Sequence, residues 1–412
     1  MDRVQYEPVS VTRVLAEMKD TARLLVDLSY SAVLSGDAEV ADEVLALEER
    51  MDLLQLQARM SLLMAARSPG DAEALAPVLG VVGAAEKIGD AAADIAKVVL
   101  EDVGVPDAIR AALPAAVETL VTATVAAESA MAGRTLGELN LETETGVRVV
   151  AVRREAESDD REWLLNPDRR TALRSGDVVV LRGPAAGIAD VHERLTGEPY
   201  SPPAPGGDQT ADLERAVNTI VLMKNTSELA VDLAYGAVLF DADDLAREVF
   251  ELEAEVDALE ERFEAWTLRA ADRVDDPVSL RGLVHIAGST EVISDAALEM
   301  SEGVLRGLGT HPVIAEAVYE SDEVVVRVAV TPDSGLDGTT VGEAAVATET
   351  GMRIVGVRRV APRDERDGPT WAISPGADTR LTAGDVLLAT GTRAGAERLA
   401  DLAGDEIDVD LE

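Results

Sequence analysis

The stretch MKDTARLLVDLSYSAVL, Met18 to Leu34, returns 205 residues later as MKNTSELAVDLAYGAVL, Met223 to Leu239. A second stretch, TETGVRVVAVRR from Thr143 to Arg154, returns at the same offset as TETGMRIVGVRR, Thr348 to Arg359. The first is helical in pattern and the second extended, so a unit holding both a helical and a mixed part was copied whole. A length of 412 residues alone suggests about three domains. The repeat makes it two copies of a pair, about 100 residues per domain. The copies also act as an internal comparison, because positions kept in both answer to something the halves share.

The spacing predicts three helices in the first copy, over Val11–Leu34, Ala38–Ala66 and Asp71–Val103, broken at Gly36-Asp37 and at Ser68-Pro69-Gly70. Their counterparts are Leu213–Leu239, Asp243–Ala271 and Pro277–Leu308. Three helices with short connections form an antiparallel bundle. With 3% aromatic residues, its core must be Leu, Val and Ala. Strands follow at Leu120–Val125, Gly146–Arg154 and Val178–Leu181, and in the second copy at Val324–Val330, Gly351–Arg359 and Val386–Ala389. Trp163 and Trp371 each open a further strand, Thr135-Leu136-Gly137-Glu138 and Thr340-Val341-Gly342-Glu343 each start a short helix, and Ala185–Leu195 and Ala394–Leu402 close the domains. The expected order is a bundle over 1–105, an α+β domain over 106–196, a Pro/Gly linker over 197–210, a second bundle over 211–309, a second α+β domain over 310–403 and an acidic tail over 404–412. The linker reads GEPYSPPAPGGD from Gly197, and at ~3.1 Å per residue it lets the halves lie side by side.

The formal net charge is −41, and only four of the 37 basic residues are lysine: Lys19, Lys87, Lys97 and Lys224. Such a surface suits a cytoplasm full of salt, where a Debye length of roughly 3 Å suppresses self-repulsion. The same charge argues against nucleic acid and against an anionic membrane surface. No apolar run approaches the ~18 residues of a spanning helix, and the N-terminus lacks the layout of a signal peptide. Without cysteine there are no disulfides or thiolate sites. The chain reads as cytoplasmic, peripheral to a membrane only through a partner.

Two resemblances rest on ordered motifs. Thr-x-Gly-Glu, then Thr-Gly-x-x-x-x-x-x-Arg, then the Pro-x-x-x-x-x-Leu-x-x-Gly-Asp-Val turn (Pro167 to Val178; Pro375 to Val386) occur in order, twice. This resembles the C-terminal regulatory domain of TrkA-type potassium-transport regulators. Glu86-Lys87-Ile88-Gly89-Asp90-Ala91 with Ile95-Ala96, echoed as Glu291-Val292-Ile293-Ser294-Asp295, resembles the PhoU family. The implied fold is α+β with an internal duplication, each half a PhoU-like three-helix bundle followed by a small mixed TrkA-C-like domain. The resemblances imply a regulatory, non-enzymatic accessory subunit of a cation transport system, potassium first, with a membrane channel or transporter subunit as partner and a homodimer as one assembly. TrkA-type domains pair, and some hold small anions such as cyclic di-AMP between them. PhoU-like proteins serve transport systems, typically phosphate, and several bind metal through Glu/Asp-x-x-x-Asp motifs. A phosphate or divalent-cation transporter is therefore the alternative partner, and a scaffold without ligand the third reading. TrkA-type regulators also carry a dinucleotide-binding domain. No Gly-x-Gly-x-x-Gly or Gly-x-x-x-x-Gly-Lys-Ser/Thr is present here, so NAD and ATP are not expected ligands.

Three sets of residues compete as sites. Glu48/Asp52 and Glu86/Asp90, with copies Glu253/Asp257 and Glu291/Asp295, stand at i and i+4 on helices. They share a face and could hold a divalent metal through oxygens. Against this, 78 acids give roughly 15 such pairs by chance on ordinary solvated faces. Lys19 shares an arc of its helix with Asp27 and Tyr30, and Lys224 shares one with Asp232 and Tyr235, offering an internal ion pair instead of a metal. On the central strands, alternation puts Arg148 and Arg154 on one face and Arg153 on the other, repeated by Arg353, Arg359 and Arg358. These guanidiniums suit a cyclic dinucleotide or similar anion at the seam of the two α+β domains, or they simply answer surrounding acids. No catalytic set is expected, since His192, His285 and His311 have no counterparts between the copies.

Overall fold

The structure, a computed structural model, describes residues 10–101, 103–104, 119–155, 161–201, 211–274, 276–308, 311–321, 323–359 and 371–405. Most of the proline-rich linker and the acidic tail lie outside the described residues. The first bundle is α1 (Val11–Ser35), α2 (Ala38–Ala65) and α3 (Pro69–Leu100). Its breaks have the chemistry read from sequence. Gly36 ends α1 in the left-handed region (φ 65°), the Asp37 carboxylate caps α2, and Ser68 caps α3 with Pro69 as its first residue.

The first mixed domain follows as β1 (Thr119–Thr124), α4 (Leu136–Leu139), α5 (Leu141–Thr145), β2 (Arg148–Glu155), β3 (Arg161–Leu165), β4 (Val178–Gly183) and α6 (Ala185–Thr196). The second half repeats the order with α7 (Ala211–Leu239), α8 (Asp243–Ala271), a 3₁₀ turn (Pro277–Leu280), α9 (Arg281–Leu305), α10 (Pro312–Glu320), β5 (Val324–Ala329), α11 (Val346–Thr350), β6 (Met352–Arg358), β7 (Trp371–Ile373), β8 (Val386–Gly391) and α12 (Arg393–Ala403). Helix α10 is an element the periodicity did not predict. The second Thr-x-Gly-Glu segment keeps the reciprocal bonds of a capping box between Thr340 and Glu343 but forms a turn, where α4 is a helix.

Each sheet is four-stranded and antiparallel, ordered β1-β4-β2-β3 and β5-β8-β6-β7. Both faces are covered. Val149, Val152, Val179 and Leu181 join Ile188 and Leu195 of α6 in a core of the domain's own, while Val150, Ala151 and Val180 join the core of the bundles. That division exposes a correction to simple alternation. The pairing of β2 with β4 shifts register between Val149 and Ala151, and β6 with β8 between Ile354 and Gly356. A β-bulge at Val150 and Val355 resets the alternation. Arg148 and Arg153 therefore share the bundle-facing side and Arg154 points the other way; Arg353 and Arg358 repeat this.

The halves meet chiefly through α3 and α9, and the two bundles share one continuous apolar core. Small side chains permit the approach: Ala84, Ala91, Ala92 and Ala96 on α3 and Ala287, Ala296 and Ala297 on α9 are all buried. The mixed domains touch through α5 and α11. There Gly146 (φ 70°) comes so near the other half that an added Cβ would lie 2.9 Å from the Ala347 carbonyl oxygen.

Candidate functional site

A cleft of about 480 Å³ opens at the seam of the mixed domains. The first domain gives it Asn140, Arg148, Asn166 and Arg169, and the second gives Thr392, Arg393 and Ala394 at the start of α12. A helix start and three guanidiniums make an anion-favouring mouth. Of the six arginines singled out from sequence, Arg148 lines this cleft. Arg153 turns to the first bundle, 2.7 Å from Asp37 and 2.8 Å from Glu39. Arg154 folds back on its own domain, to Asp177 (2.6 Å) and the Ala172 carbonyl (2.8 Å). Arg353 pairs with Asp232, Arg358 stands 3.6 Å from Asp244, and Arg359 reaches the Arg380 carbonyl at 3.2 Å. Arg169 stands at a variable position of the Pro167–Val178 turn and matches Ala377, and Arg393 matches Ala185, so looking for residues kept in both copies could not have found them.

Beneath the seam lies a smaller cavity of about 40 Å³. Equivalent residues of both halves line it, Val26 with Val231, Asp27 with Asp232 and Ile88 with Ile293, so the internal twofold passes through it. Of the predicted lysine–aspartate residues, Lys19, Asp27 and Asp232 line it, but neither lysine pairs directly with its predicted aspartate. Lys19 donates to Ser321 Oγ (2.8 Å) and the Glu323 carbonyl (2.6 Å) and lies over the Tyr235 ring, 5.4 Å from its centre. Lys224 pairs with Glu228 at 2.6 Å and lies over Tyr30 at 5.1 Å. Asp27 takes Arg182 at 3.0 Å, and Asp232 takes Arg23 at 2.9 Å as well as Arg353. The lysines are thus tied to the opposite half by ring contacts, and Arg23 by a bond to Asp232. Burial lowers the Lys19 pKa and raises that of Asp27, the latter against the pull of Arg182 and Arg23. Burial also pushes Glu323 up, but Arg23, Arg182, Arg148 and Lys19 together outweigh it and leave it below its ordinary value. Sequence reading missed Arg23, Arg182, Glu228 and Glu323. The signal was present as divergence: Arg23 matches Glu228, and Arg182 matches Thr390, within otherwise similar segments.

The acidic pairs lie on the bundles. In the first half, ligand oxygens of Glu48, Asp52 and Asp90 all come within 4.8 Å of one another. Glu86 stands close enough for Asp90 and Asp52 to act on it. Burial and then neighbouring carboxylates raise the pKa of Glu48, Glu86 and Asp90. In the second half Glu253 is raised by burial, Asp257 and Asp295. Glu291 is raised to about 7 by burial first, then by Asp295, Glu260, Asp257 and Glu253. Among the described residues this second set does not close to a comparable group. Crowded carboxylates with raised pKa values are what a divalent cation would relieve.

Two family models match the chain, each twice. The PhoU domain model covers residues 15–99 and 220–304, and the TrkA-C domain model covers 120–196 and 325–404. The chain alternates PhoU and TrkA-C domains, two of each. No curated protein matches it. Among solved structures, it is similar to the RCK domain of GsuK at 17% identity, covering 70% of this chain and 63% of that one with a TM-score of 0.18. It is similar also to the GsuK channel bound to NAD, at 16% identity, covering 70% and 53% with a TM-score of 0.17. The chain thus spans less than two thirds of either relative, and scores this low say nothing of how its domains are arranged. On the PhoU and TrkA-C frame, the acidic sets belong to the PhoU domains and the seam cleft to the paired TrkA-C domains. The ion-paired cavity sits where all four meet.

Proposed function

We propose that this protein is a regulatory, non-catalytic subunit of a cation transport system, potassium first, and that it senses a small anionic ligand in the seam between its TrkA-C domains. The observation that carries the reading is the cleft of about 480 Å³, to which both TrkA-C domains contribute guanidiniums. That volume suits a small organic ligand, and a cyclic dinucleotide offers two phosphates to Arg148, Arg169 and Arg393. No helix among the described residues is long and apolar enough to cross a membrane; the partner in this reading is a membrane channel or transporter subunit. The PhoU domains act as the arms that engage it. Ligand at the seam shifts the balance between relative arrangements of the halves only if it binds one arrangement better. Equilibrium dialysis against cyclic di-AMP in molar KCl tests this. Retention by the wild-type chain, reduced about tenfold in Arg169→Ala and Arg393→Ala, is expected; no retention by the wild type removes the sensor.

The carboxylate group of Glu48, Asp52 and Asp90 favours a second reading, a metal-binding PhoU-type regulator of phosphate or divalent-cation transport. The three acids would hold a hard cation through oxygens. Calorimetric titration of chelator-treated protein with manganese, calcium and magnesium should give heat that disappears in Asp90→Asn; silence with all three dismisses the site.

A further inference from the structure

The two halves differ where each sheet meets its bundle, and the difference leaves guanidinium donors without a hydrogen-bond partner among the described residues. In the first half, Asp37 caps α2 by accepting from Glu39 N (2.9 Å) and Val40 N (3.4 Å) and also accepts from Arg153 Nη1 (2.7 Å). Arg153 bonds Glu39 as well (2.8 Å) and lies over Trp163. One guanidinium there has two carboxylates.

The second half keeps the arginine and its tryptophan, with Arg358 over Trp371 at 5.4 Å. Ala242 stands where Asp37 stood, and α8 begins with no side-chain cap. Arg327 stands where the first half has Thr122, on the bundle-facing side of β5. Its guanidinium lies over the Phe240 ring at 4.4 Å, yet Nε and Nη2 are buried without a hydrogen-bond partner among the described residues. Asp244, the acid among the described residues whose charge acts on Arg327, already accepts from Trp371 Nε1 at 2.8 Å and stands 3.6 Å from Arg358. Glu248, one turn further along α8, is held toward its neutral form, first by burial and then by Glu251 and Asp244. Burial and then the field of Arg358 lower the Arg327 pKa. Among the described residues, two guanidiniums therefore share one occupied carboxylate. A ring face offsets part of a cation's charge but cannot accept an in-plane N–H. A buried charge without a counter-charge is costly.

We infer that the second half binds a small oxyanion, a carboxylate or phosphate group, between Arg327, Arg358 and the start of α8, in the place that the Asp37 carboxylate fills in the first half. The guanidinium pair supplies the charge, and the first-turn amides of α8 other than Leu245 N, which bonds Asp244, add backbone donors. This position shares no lining residue with the seam cleft, so it stands or falls separately from the sensor reading.

The test titrates the full chain calorimetrically in molar KCl, in one arm with inorganic phosphate and in another with acetate. The wild type should bind one equivalent of at least one of them, and the arm that responds tells phosphate from carboxylate. Ala242→Asp restores the first half's own carboxylate, and Arg327→Thr restores its own residue on the first strand. Each should weaken binding about tenfold or more, the share of one charge-assisted hydrogen bond. The thermal midpoint of Ala242→Asp should also rise, which shows the variant folded. Silence of the wild type in both arms overturns the inference. So does an affinity unchanged in either variant, which marks an adventitious ion only.

Discussion

Arg182 and Asp27 show how much one divergent position decides. Both side chains are buried, 8% and 4% exposed, and they meet at 3.0 Å. The matching position in the other half is Thr390, whose hydroxyl is buried and unpartnered among the described residues. Arg182→Thr would leave Asp27 with less counter-charge inside the core. A loss of about 3 kcal/mol is expected in denaturant unfolding in molar KCl; a change under about 0.5 kcal/mol would show that Arg23 and Lys224 suffice. Glu291 makes a pH prediction. Its folded pKa of about 7 lies above the ordinary 4.5, so the folded chain holds this proton more tightly than the unfolded chain does. The stability tied to it is complete below about pH 4.5 and is lost as pH rises to about 7. Glu291→Gln should thus melt higher than wild type near pH 8 and converge with it near pH 5. An equal difference at both pH values would contradict the assignment. Lys19 and Lys224 were legible as special because lysine is so rare here, but their partners were not. A helical wheel orders residues on their own helix, and both lysines meet aromatic rings of the opposite half.

At the scale of elements, helix limits were readable to within a few residues because each break carries its own chemistry: a left-handed glycine, a capping aspartate, or Ser-Pro-Gly. Strand faces were not. One bulge at Val150, matched at Val355, moves Arg148 onto the same side as Arg153. The alternation rule has no term for an inserted residue, and the pairing partner that reveals the bulge lies about 30 residues away in β4. The contact of α5 with α11 supplies the element-scale prediction. Gly146→Ala puts a Cβ 2.9 Å from the Ala347 carbonyl and strains a left-handed residue. It should cost about 1–2 kcal/mol and weaken ligand retention at the seam. The same substitution at Gly133 (φ 81°), where nothing lies within 4 Å of an added Cβ, should cost stability and leave retention alone. Equal retention in both variants would mean that the seam is not the ligand's place.

At the scale of the whole molecule, a net charge of −41 presses the four domains apart, while the α3–α9 core and the bonds around the internal twofold hold them together. Screening by salt decides the balance. The thermal midpoint should rise steadily from dilute buffer to molar KCl, and an identical midpoint across that range would refute the salt-adapted reading. The sequence by itself determined the duplication, the alternation of bundle and sheet, and nearly every helix limit, because these depend on periodicity and turn chemistry within short windows. Only the tertiary structure decided which charges meet: Arg23 with Asp232, Asp27 with Arg182, and Arg327 with no acid of its own among the described residues. Ion pairing acts over a few ångströms between residues tens to hundreds of positions apart, and that proximity comes into being only when the two copies close on each other.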